Sequence, residues 1–366
     1  MDFELTDEQV AMGVAVRRWL TDHAGDPRPA PGALCRAAAG LGWLGVTAPV
    51  GDGGLGLGLL DQAVVAEALG AGLAPASIGT AVAACDVVAT SADPEQRARW
   101  LAPMVAGELV GSTALRAEGG SWDRHGIGVT ATAGGRLDGD AGIVDHAEDA
   151  DVLLVAAGTG DGPAVFVVET AQAGVSTHGV EPVDPAMRAA EVTLTDVPAE
   201  RVRWDDDATF ERIVHRLTVL VAADLVGAAG AALRTTLDHL RLRRQFGRAI
   251  GSFQAVQHEL AELHVAWTTI TDAVWYTADS HDAGRPDAAL MTSVVKSRAA
   301  DLARETAAAV VQFHGATGFS WEHSAHRYFK RLHRDAYDFG DSDWHDPIIA
   351  AAAIAADAEQ HPGGVS

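Results

Sequence analysis

The sequence predicts an α+β protein in which helices come first, a small sheet follows and a bundle of longer helices ends the chain. Three observations support this order. Alanine-rich amphipathic patterns fill residues 1–108, short β-branched runs between Gly and Asp turns fill 109–205, and longer helical patterns fill 206–366. We therefore expect an N-terminal α-helical domain, a middle β domain and a C-terminal helical bundle domain with these boundaries.

The N-terminal domain is predicted to begin with a capped helix. Thr6 and Gln9 in the segment TDEQ have the spacing of a capping box, and apolar residues recur on one helical face as far as about Asp22. Four more helical patterns follow in this domain, at 33–41, 60–71, 75–90 and 94–106.

The middle domain is predicted to be a small sheet. Its β-branched runs are GIGVTATAGG, DVLLVAAG, AVFVVET and AEVTLTD, each bounded by turn residues. The segment GDG at 160–162 lies between two of these runs, which predicts a β-hairpin. Helical patterns return in the C-terminal domain, where we expect helices at 208–242, 251–279, 287–313, 321–337 and 346–358.

The composition excludes several classes of function. A formal net charge of −23 and only two lysines, Lys296 and Lys330, disfavour nucleic acids and anionic membranes, because phosphate contacts need clusters of Lys and Arg. No uninterrupted apolar stretch is long enough to cross a bilayer, and the N-terminus lacks the pattern of a secretion signal. Cys35 and Cys85 have no metal-binding or redox spacing. We expect a soluble, cytoplasmic protein.

Several known motifs for cofactor binding and catalysis do not fit this sequence. GDGGLG at 51–56 matches G-x-G-x-x-G, but helical patterns flank it, so we interpret it as an interhelical loop. No G-x-S-x-G elbow and no Walker loop occurs. A group of late histidines lacks H-E-x-x-H spacing and a facing pair of carboxylates, which favours ordinary polar-face histidines over a metal centre. These are His314, His323, His326, His333 and His345.

Two segments give more specific indications of a ligand-binding site. RLRRQFGRAIGSFQAVQ at 241–257 places four arginines close together before Phe246-Gly247 breaks one helix and another begins. A cationic helix end beside a new helix N-terminus can bind a pyrophosphate, although periodicity alone favours a solvated arginine face paired with the acidic surface. QFHGATGFSWEH at 312–323 places a Gly-Ala-Thr-Gly loop between two helices, as a ligand clamp or a plain connection.

Together these segments resemble the acyl-CoA dehydrogenase family over almost the whole chain. The resemblance rests on MDFELTDEQ, GGLGLGLLD, RRQFGRAIGSFQAVQHELAEL and QFHGATGFSWEHSAH, and the middle of the signature is highly specific. FSWEHSAHRYFKR further resembles actinobacterial subunits that pair with an unlike dehydrogenase chain. The resemblance implies a helical domain, a β-barrel-like middle domain and a C-terminal four-helix bundle, with FAD between the last two and contacts from a neighbouring subunit.

The resemblance also implies a reaction and its site residues. Family members pass the α-hydrogen of an acyl-CoA as a proton to a carboxylate while the β-hydrogen leaves as hydride to the flavin, which an electron-transfer flavoprotein or another acceptor reoxidises. By position, six residues of this chain would contact FAD: Arg243, Gln245, Phe246, Gln254, Gln312 and Gly315. The first three would meet its pyrophosphate and adenosine side, and the last two would reach it across a dimer.

This chain departs from the family where the flavin ring would lie. In place of the family's T-E-P-x-A-G-S-D loop it has TALRAEGGSWD at 113–123, and in place of the aromatic wall and Thr hydroxyl of the W-I-T-N strand it has Val144-Asp145-His146. The second Gly of the late loop is Ala316. Whether this chain's own middle domain binds flavin is therefore left open.

The catalytic carboxylate of the family has no counterpart at either usual position. Counting from the late loop without gaps places the base at Phe339, and the alternative position, 26 residues before the R-x-x-F-G signature, is Leu217. Anchoring the count on the R-D-A motif that ends at Ala336 would place Asp343 there, but this needs four inserted residues in a helix, more than one turn. We therefore interpret the acidic segment YDFGDSDW at 337–344 as a solvated loop.

Asp224 is the candidate for a base within this chain. It lies two turns beyond Leu217 on the same predicted helix, alone in the apolar run LTVLVAADLVGAAGAAL. An isolated buried acid can have a raised pKa suited to proton abstraction. It can equally be a packing acid bonded to an arginine or to the backbone, which is the interpretation we favour.

Three hypotheses about function follow. The chain is a subunit of an FAD-dependent acyl-CoA dehydrogenase whose base is on a second, unlike dehydrogenase-like chain; or it is a structural or regulatory paralogue without flavin; or it is a catalytic homomer that uses Asp224, Asp341 or Asp343. Arg243 and Gln312 favour the first hypothesis, because a scaffold without a nearby flavin has little need of them.

Overall fold

The computed structural model describes residues 4–23, 31–115, 122, 127–184, 186–204, 208–321 and 323–360. The chain divides into two compact units. One comprises Met1–Arg18, Ala66–Leu73 and Thr218–Ser366, and the other comprises Trp19–Val65 and Ala74–Leu217. The three-domain division at 108 and 205 stays a prediction.

The predicted helices of the N-terminal part form. The capping box is confirmed: Thr6 N donates to Gln9 Oε1 at 3.0 Å, and Gln9 N donates to Thr6 Oγ1 at 3.3 Å. The bounds are α1 Asp7–Asp22, α2 Pro31–Gly40, α3 Leu59–Ala71, α4 Ala76–Ser91, α5 Pro94–Gln96 and α6 Ala102–Val105, the last two joined by the π-helical turn Arg97–Leu101.

GDGGLG forms the interhelical loop that the flanking patterns predict. A 3-10 turn, Val50–Asp52, opens it and Gly53 has a positive φ of 87°. Gly54 lies so close to the preceding chain that a Cβ there would be 2.1 Å from Ala48 O, which only glycine allows. Helices α2 and α3 lie on either side of the loop in sequence, so the dinucleotide fingerprint is absent.

The described residues in the middle of the chain form an eight-stranded mixed sheet. Its strand order is β6-β7-β3-β2-β4-β5-β8, and β1 pairs in parallel with β4. The predicted hairpin is confirmed, because Thr159 pairs with Gly162 across the GDG segment. The strands are β1 Gly111–Ala114, β2 Val129–Ala131, β3 Arg136–Asp145, β4 Val152–Thr159, β5 Gly162–Glu169, β6 Val175–Val180, β7 Ala189–Pro198 and β8 Glu200–Arg201.

The rest of the chain is mainly helical. Helix α10 begins four residues later than predicted, because His323 forms a turn with Ser320 and its Nδ1 accepts the Ala325 N–H, and α11 begins four residues earlier. The elements are α7 Thr209–Leu242, β9 Arg244–Gln245, β10 Arg248–Ala249, α8 Gln254–Asp282, α9 Ala288–His314, α10 Ala325–Tyr337 and α11 Ser342–Gln360.

Helix α7 corrects one expectation from the sequence. It is long and apolar enough to cross a membrane by length and composition, although no such stretch was expected. However, 83% of its most apolar window is buried inside the protein, as in a core helix.

Helices α3 and α7 cross with their backbones in direct contact, which two glycines make possible. A Cβ at Gly227 would lie 1.9 Å from Glu67 O, and a Cβ at Gly70 would lie 2.1 Å from Asp224 O. This close crossing explains the Gly- and Ala-rich sequence of α7, and it fixes the position of Asp224 on that helix.

Candidate functional site

The arginine-rich signature folds into a tight hairpin after α7. The helix ends at Leu242, and β9 and β10 pair through Gln245 and Arg248. The two residues between them, Phe246 and Gly247, have φ values of 53° and 77°. Positive φ at both central residues is typical of a type I′ hairpin turn, in which a phenylalanine is unusual. Phe246 is 91% exposed at the tip of this hairpin.

The guanidinium groups around the hairpin are mostly free of carboxylates. Arg241 pairs with Asp238 at 3.3 Å on the surface, whereas Arg248 stacks over the Phe253 ring at 3.9 Å. The guanidinium of Arg243 is exposed and has no carboxylate partner among the described residues. In a protein with a net charge of −23, unpaired arginines favour an anion as the missing partner over the predicted pairing with the acidic surface.

A new helix N-terminus lies beside this hairpin. The Ile250 N–H donates to Arg243 O at 2.9 Å, a 3-10 turn follows, and α8 begins at Gln254 with no side-chain cap. The Gln254 side chain is exposed. The first amides of α8 therefore remain available to an anion, as the sequence predicts for a pyrophosphate cradle.

The second signature segment forms the end of α9 and a 3-10 turn. Gln312 is exposed in the last turn of α9, and its amide has no hydrogen-bond partner in the described part of the chain. Gly315 has φ 60° and ψ −141°, a conformation that is essentially restricted to glycine. The loop therefore depends on Gly315 to turn out of α9 while it leaves the Gln312 amide free.

Both usual positions of the family's base are apolar and buried. Phe339 is 8% exposed, and its backbone oxygen accepts a hydrogen bond from His345 Nε2 at 2.9 Å. Leu217 is 2% exposed. Neither position carries a group that can accept a proton from a substrate.

Two cations, Arg304 and Lys296, bind the acidic segment at 337–344. Neither contact was predicted from the sequence. Arg304 donates to Asp341 at 3.0 Å and to Ser342 Oγ at 2.8 Å. Lys296 is fully buried and donates to Ala336 O at 2.8 Å and to Gly340 O at 2.6 Å. This corrects the interpretation as a merely solvated loop, because only part of the segment, including Asp343, is exposed.

Burial lowers the pKa of Lys296. It lowers the pKa of the ammonium group from 10.5 to about 8, against the attraction of Asp338, Asp335 and Asp341. The rarity of lysine in this sequence was the one available signal for its importance, but nothing in the pattern located its two carbonyl partners.

Asp224 lies in an ion-pair cluster. Arg331 donates to both of its oxygens, from Nε at 3.0 Å and from Nη2 at 2.6 Å, and also pairs with Asp335 at 3.0 Å. Arg334 forms a further ion pair with Asp335. The geometry agrees with the packing interpretation, and the role of Asp224 as a base stays a prediction.

Asp224 and Asp335 share Arg331, but their surroundings give them different proton affinities. Burial raises the pKa of Asp224 from 3.8 to about 6, more than Arg331 lowers it, and the charge of Asp335 raises it further. The pKa of Asp335 is lowered, because Arg334 and Arg331 together outweigh its burial. Asp224 is therefore the carboxylate of this pair that takes up a proton first.

The residues that replace the flavin wall lie mostly inside the sheet-containing unit. Val144 is 1% exposed and His146 is 4% exposed, with His146 Nδ1 3.2 Å from Asp149 Oδ2. His146 also has a positive φ of 54°, where β3 turns towards β4. Most of the 113–123 loop, residues 116–121 and 123, lies outside the described residues.

The late histidines were predicted to be ordinary polar-face residues. Among the described residues no group of three or more His, Cys, Asp or Glu side chains could hold a metal ion. His314 and His323 contact each other, and His314 also contacts His239 of α7, a contact that no sequence pattern predicts.

Comparison with known proteins identifies similar sequences and structures. The family model for the acyl-CoA dehydrogenase N-terminal domain matches residues 6–108, and that for the C-terminal domain matches 211–354. Acyl-CoA dehydrogenase FadE27 of Mycobacterium tuberculosis is 31% identical over 321 residues, with 84% of each chain covered. Acyl-CoA dehydrogenase IpdE2 of the same organism is 32% identical over 285 residues, covering 78% of this chain and 74% of IpdE2.

Two solved structures with similar folds carry names of two-component assemblies. A variant of the Tcur3481-Tcur3483 steroid ACAD superposes with a TM-score of 0.89 at 28% identity, covering 96% of this chain and 99% of that one. The ChsE4-ChsE5 complex from Mycobacterium tuberculosis superposes with a TM-score of 0.87 at 26% identity, covering 97% and 99%.

Proposed function

The chain belongs to the acyl-CoA dehydrogenase family of FAD-dependent oxidoreductases, and from that premise we propose that it is one subunit of a hetero-oligomeric dehydrogenase whose base lies on an unlike chain. One contrast carries this proposal. Arg243 and Gln312 present free polar groups, whereas Phe339 and Leu217 occupy the positions of the base. When bound, FAD accepts the β-hydrogen of the acyl-CoA as hydride.

The residues of this chain fit the anionic part of FAD. The unpaired guanidinium of Arg243 would bind the pyrophosphate, and the free α8 N-terminus at Gln254 would add backbone donors. Gln245 and the exposed Phe246 would contact the adenosine side, Phe246 by stacking on the base. Gln312, placed by Gly315, would reach the same cofactor across a subunit interface.

Two further observations support a partner chain and a soluble setting. The similar structures include assemblies named for two components, Tcur3481-Tcur3483 and ChsE4-ChsE5. Since the first of these is named as a steroid enzyme, a bulky acyl-CoA is the substrate class we propose. We also propose a cytoplasmic location, because α7 is mostly buried inside the protein and the net charge is strongly negative. As the family resemblance implies, we propose reoxidation by an electron-transfer flavoprotein or a similar acceptor.

The test is to purify this chain alone and with a dehydrogenase-like chain encoded beside it, and to record the visible spectrum and mass of each sample. We expect flavin absorbance and acyl-CoA-dependent bleaching in the co-purified complex. A yellow, active homo-oligomer of this chain alone would contradict a partner-supplied base. Colourless samples in both cases would favour the alternative, a structural or regulatory paralogue without flavin.

Arg243→Gln is expected to weaken FAD binding to the complex about tenfold or more, because a charge-assisted hydrogen bond to a phosphate contributes roughly 1.5–3 kcal/mol. Arg241→Gln is the matched control, since Arg241 lies on the same turn of chain and pairs with Asp238. Its FAD dissociation constant should stay within about twofold of the wild type. Equal losses in both variants would mean that general positive charge, rather than Arg243, holds the cofactor.

A further inference from the structure

Three imidazole rings meet where the end of α7 approaches the second signature segment. His239 of α7 stacks on His314 of α9 with ring centroids 4.5 Å apart, and His314 lies 4.4 Å from His323, which precedes α10. The His239 and His323 rings are 6.5 Å apart and perpendicular. We call these three residues the imidazole cluster.

Backbone hydrogen bonds fix the protonation of two of these rings. His314 Nδ1 faces Val310 O at 2.8 Å, so this nitrogen carries the proton. His314 Nε2 is buried without a hydrogen-bond partner among the described residues, and a second proton there would have no acceptor. His323 Nδ1 accepts the Ala325 N–H at 3.1 Å, so it must be unprotonated. The geometry therefore holds His314 neutral and keeps His323 Nδ1 as a hydrogen-bond acceptor.

The cluster joins the two segments to which we assign FAD contacts. The Arg243 N–H donates to His239 O at 2.9 Å, so the His239 turn of α7 leads directly into the arginine hairpin. His314 directly precedes Gly315, and its backbone oxygen accepts from Thr317 Oγ1 at 2.7 Å. Movement of either ring would therefore be transmitted to Arg243 or to the loop after Gln312.

We propose that the imidazole cluster is a proton-sensitive positioning device, which holds the Arg243 hairpin and the Gln312 loop together while its rings are neutral and releases them when His239 is protonated. His239 is the ring that can respond, because it is half-buried and neither nitrogen has a hydrogen bond in the described part of the chain. The proposal rests on the proposed FAD site.

The charges that face the cluster oppose protonation. Partial burial lowers the pKa of His239, and His323 and Arg243 lower it further. Asp238 is the adjacent residue in α7, but its carboxylate pairs with Arg241. On the α10 side, His326 is the next titratable ring, and Lys330 and Arg327 act on it as cations. The described residues thus provide no carboxylate to stabilise a charged cluster.

The direction of the pH effect follows from the lowered pKa. A base whose pKa is lower in the ordered state than its usual value of 6.5 binds more protons when that state opens. The ordered arrangement is therefore favoured above pH 6.5 and is lost as the pH falls below it. FAD retention should weaken over the same range.

The test compares FAD dissociation constants of the purified, flavin-containing protein at pH 7.5 and pH 5.5. For the wild type we expect binding between about twofold and about tenfold weaker at pH 5.5, because the uptake of one proton over one pH unit changes the constant by at most about tenfold. His239→Phe keeps a flat ring on His314 but cannot titrate, so its two constants should agree within about twofold. His239→Ala should bind FAD more weakly at both pH values. His178→Gln, an exposed histidine of β6, is the control and should match the wild type.

A second readout does not depend on FAD. In histidine-labelled protein, nitrogen NMR should show His314 as the Nδ1–H tautomer and His323 as the Nε2–H tautomer, both neutral at pH 7. Opposite tautomers, or a His239→Phe variant with the full pH dependence of the wild type, would overturn the proposal. Absence of bound FAD at every pH would count against the proposed function. The tautomers of His314 and His323 would then be the measurement that supports or overturns the proposal for the imidazole cluster.

Discussion

Arg331→Met is expected to lower the free energy of unfolding by about 3–5 kcal/mol, because it leaves Asp224 and Asp335 buried without their shared cation. The guanidinium is only 4% exposed, so water cannot replace it. Urea unfolding of the purified protein at pH 7 would measure the loss through a shift of the midpoint at constant slope.

Two further variants separate lost charge pairing from lost packing. Arg331→Met combined with Asp224→Asn should recover part of the stability, because Asp224 is then neutral and Asp335 keeps its ion pair with Arg334. Arg327→Met, on the same helix but half-buried, is the control and should change stability by less than about 1 kcal/mol. An Arg331→Met variant as stable as this control would show that the cluster does not hold α7 to α10.

Lys296→Met is expected to destabilise the protein by about 2–4 kcal/mol at pH 7. Methionine has a similar volume, but it leaves Ala336 O and Gly340 O buried without donors, and each unpaired carbonyl costs roughly 1–3 kcal/mol. Relief from burying an ammonium group offsets part of this loss. Lys330→Met is the matched control, because Lys330 is half-buried and contacts the exposed Trp321 ring.

The pH dependence gives Lys296 a distinctive signature. Its pKa is lowered by burial from 10.5 to about 8 in the folded state, so the unfolded chain binds more protons between these values. Wild-type stability should therefore gain from this residue as the pH rises from about 8 to about 10.5, and Lys296→Met should lack that gain. Unfolding curves of both proteins across this range would measure it. Parallel pH profiles would contradict the buried, titrating ammonium.

Local sequence patterns predicted most helices, strands and turns correctly. The capping box at Thr6, the GDG hairpin and the helix break at Phe246-Gly247 all depend on neighbouring residues, and each formed as expected. The start of α10 was wrong by four residues, because His323 forms a turn with Ser320 and its ring nitrogen accepts the Ala325 N–H, a local arrangement that no apolar period marks.

Contacts between distant elements could not be predicted from the sequence. Lys296 meets carbonyls 40 and 44 residues away, and Arg331 meets Asp224 from 107 residues away. His239 and His314 approach each other only because α7 and α9 end side by side. The sequence did indicate that Asp224 needed a partner, since an acid alone in an apolar run is costly to bury, but it could not select Arg331 from many arginines.

The central claim is that this chain supplies cofactor contacts but no base. It is tested most directly by the turnover of the co-purified, flavin-loaded complex in which this chain carries Asp224→Asn, Asp341→Asn and Asp343→Asn. Turnover within about threefold of the wild-type complex is the predicted result, because no proton acceptor for the substrate would have been removed. A loss of about 10²–10⁴-fold in kcat with the flavin content unchanged, the scale expected for removal of a general base, would contradict the claim and place the base in this chain.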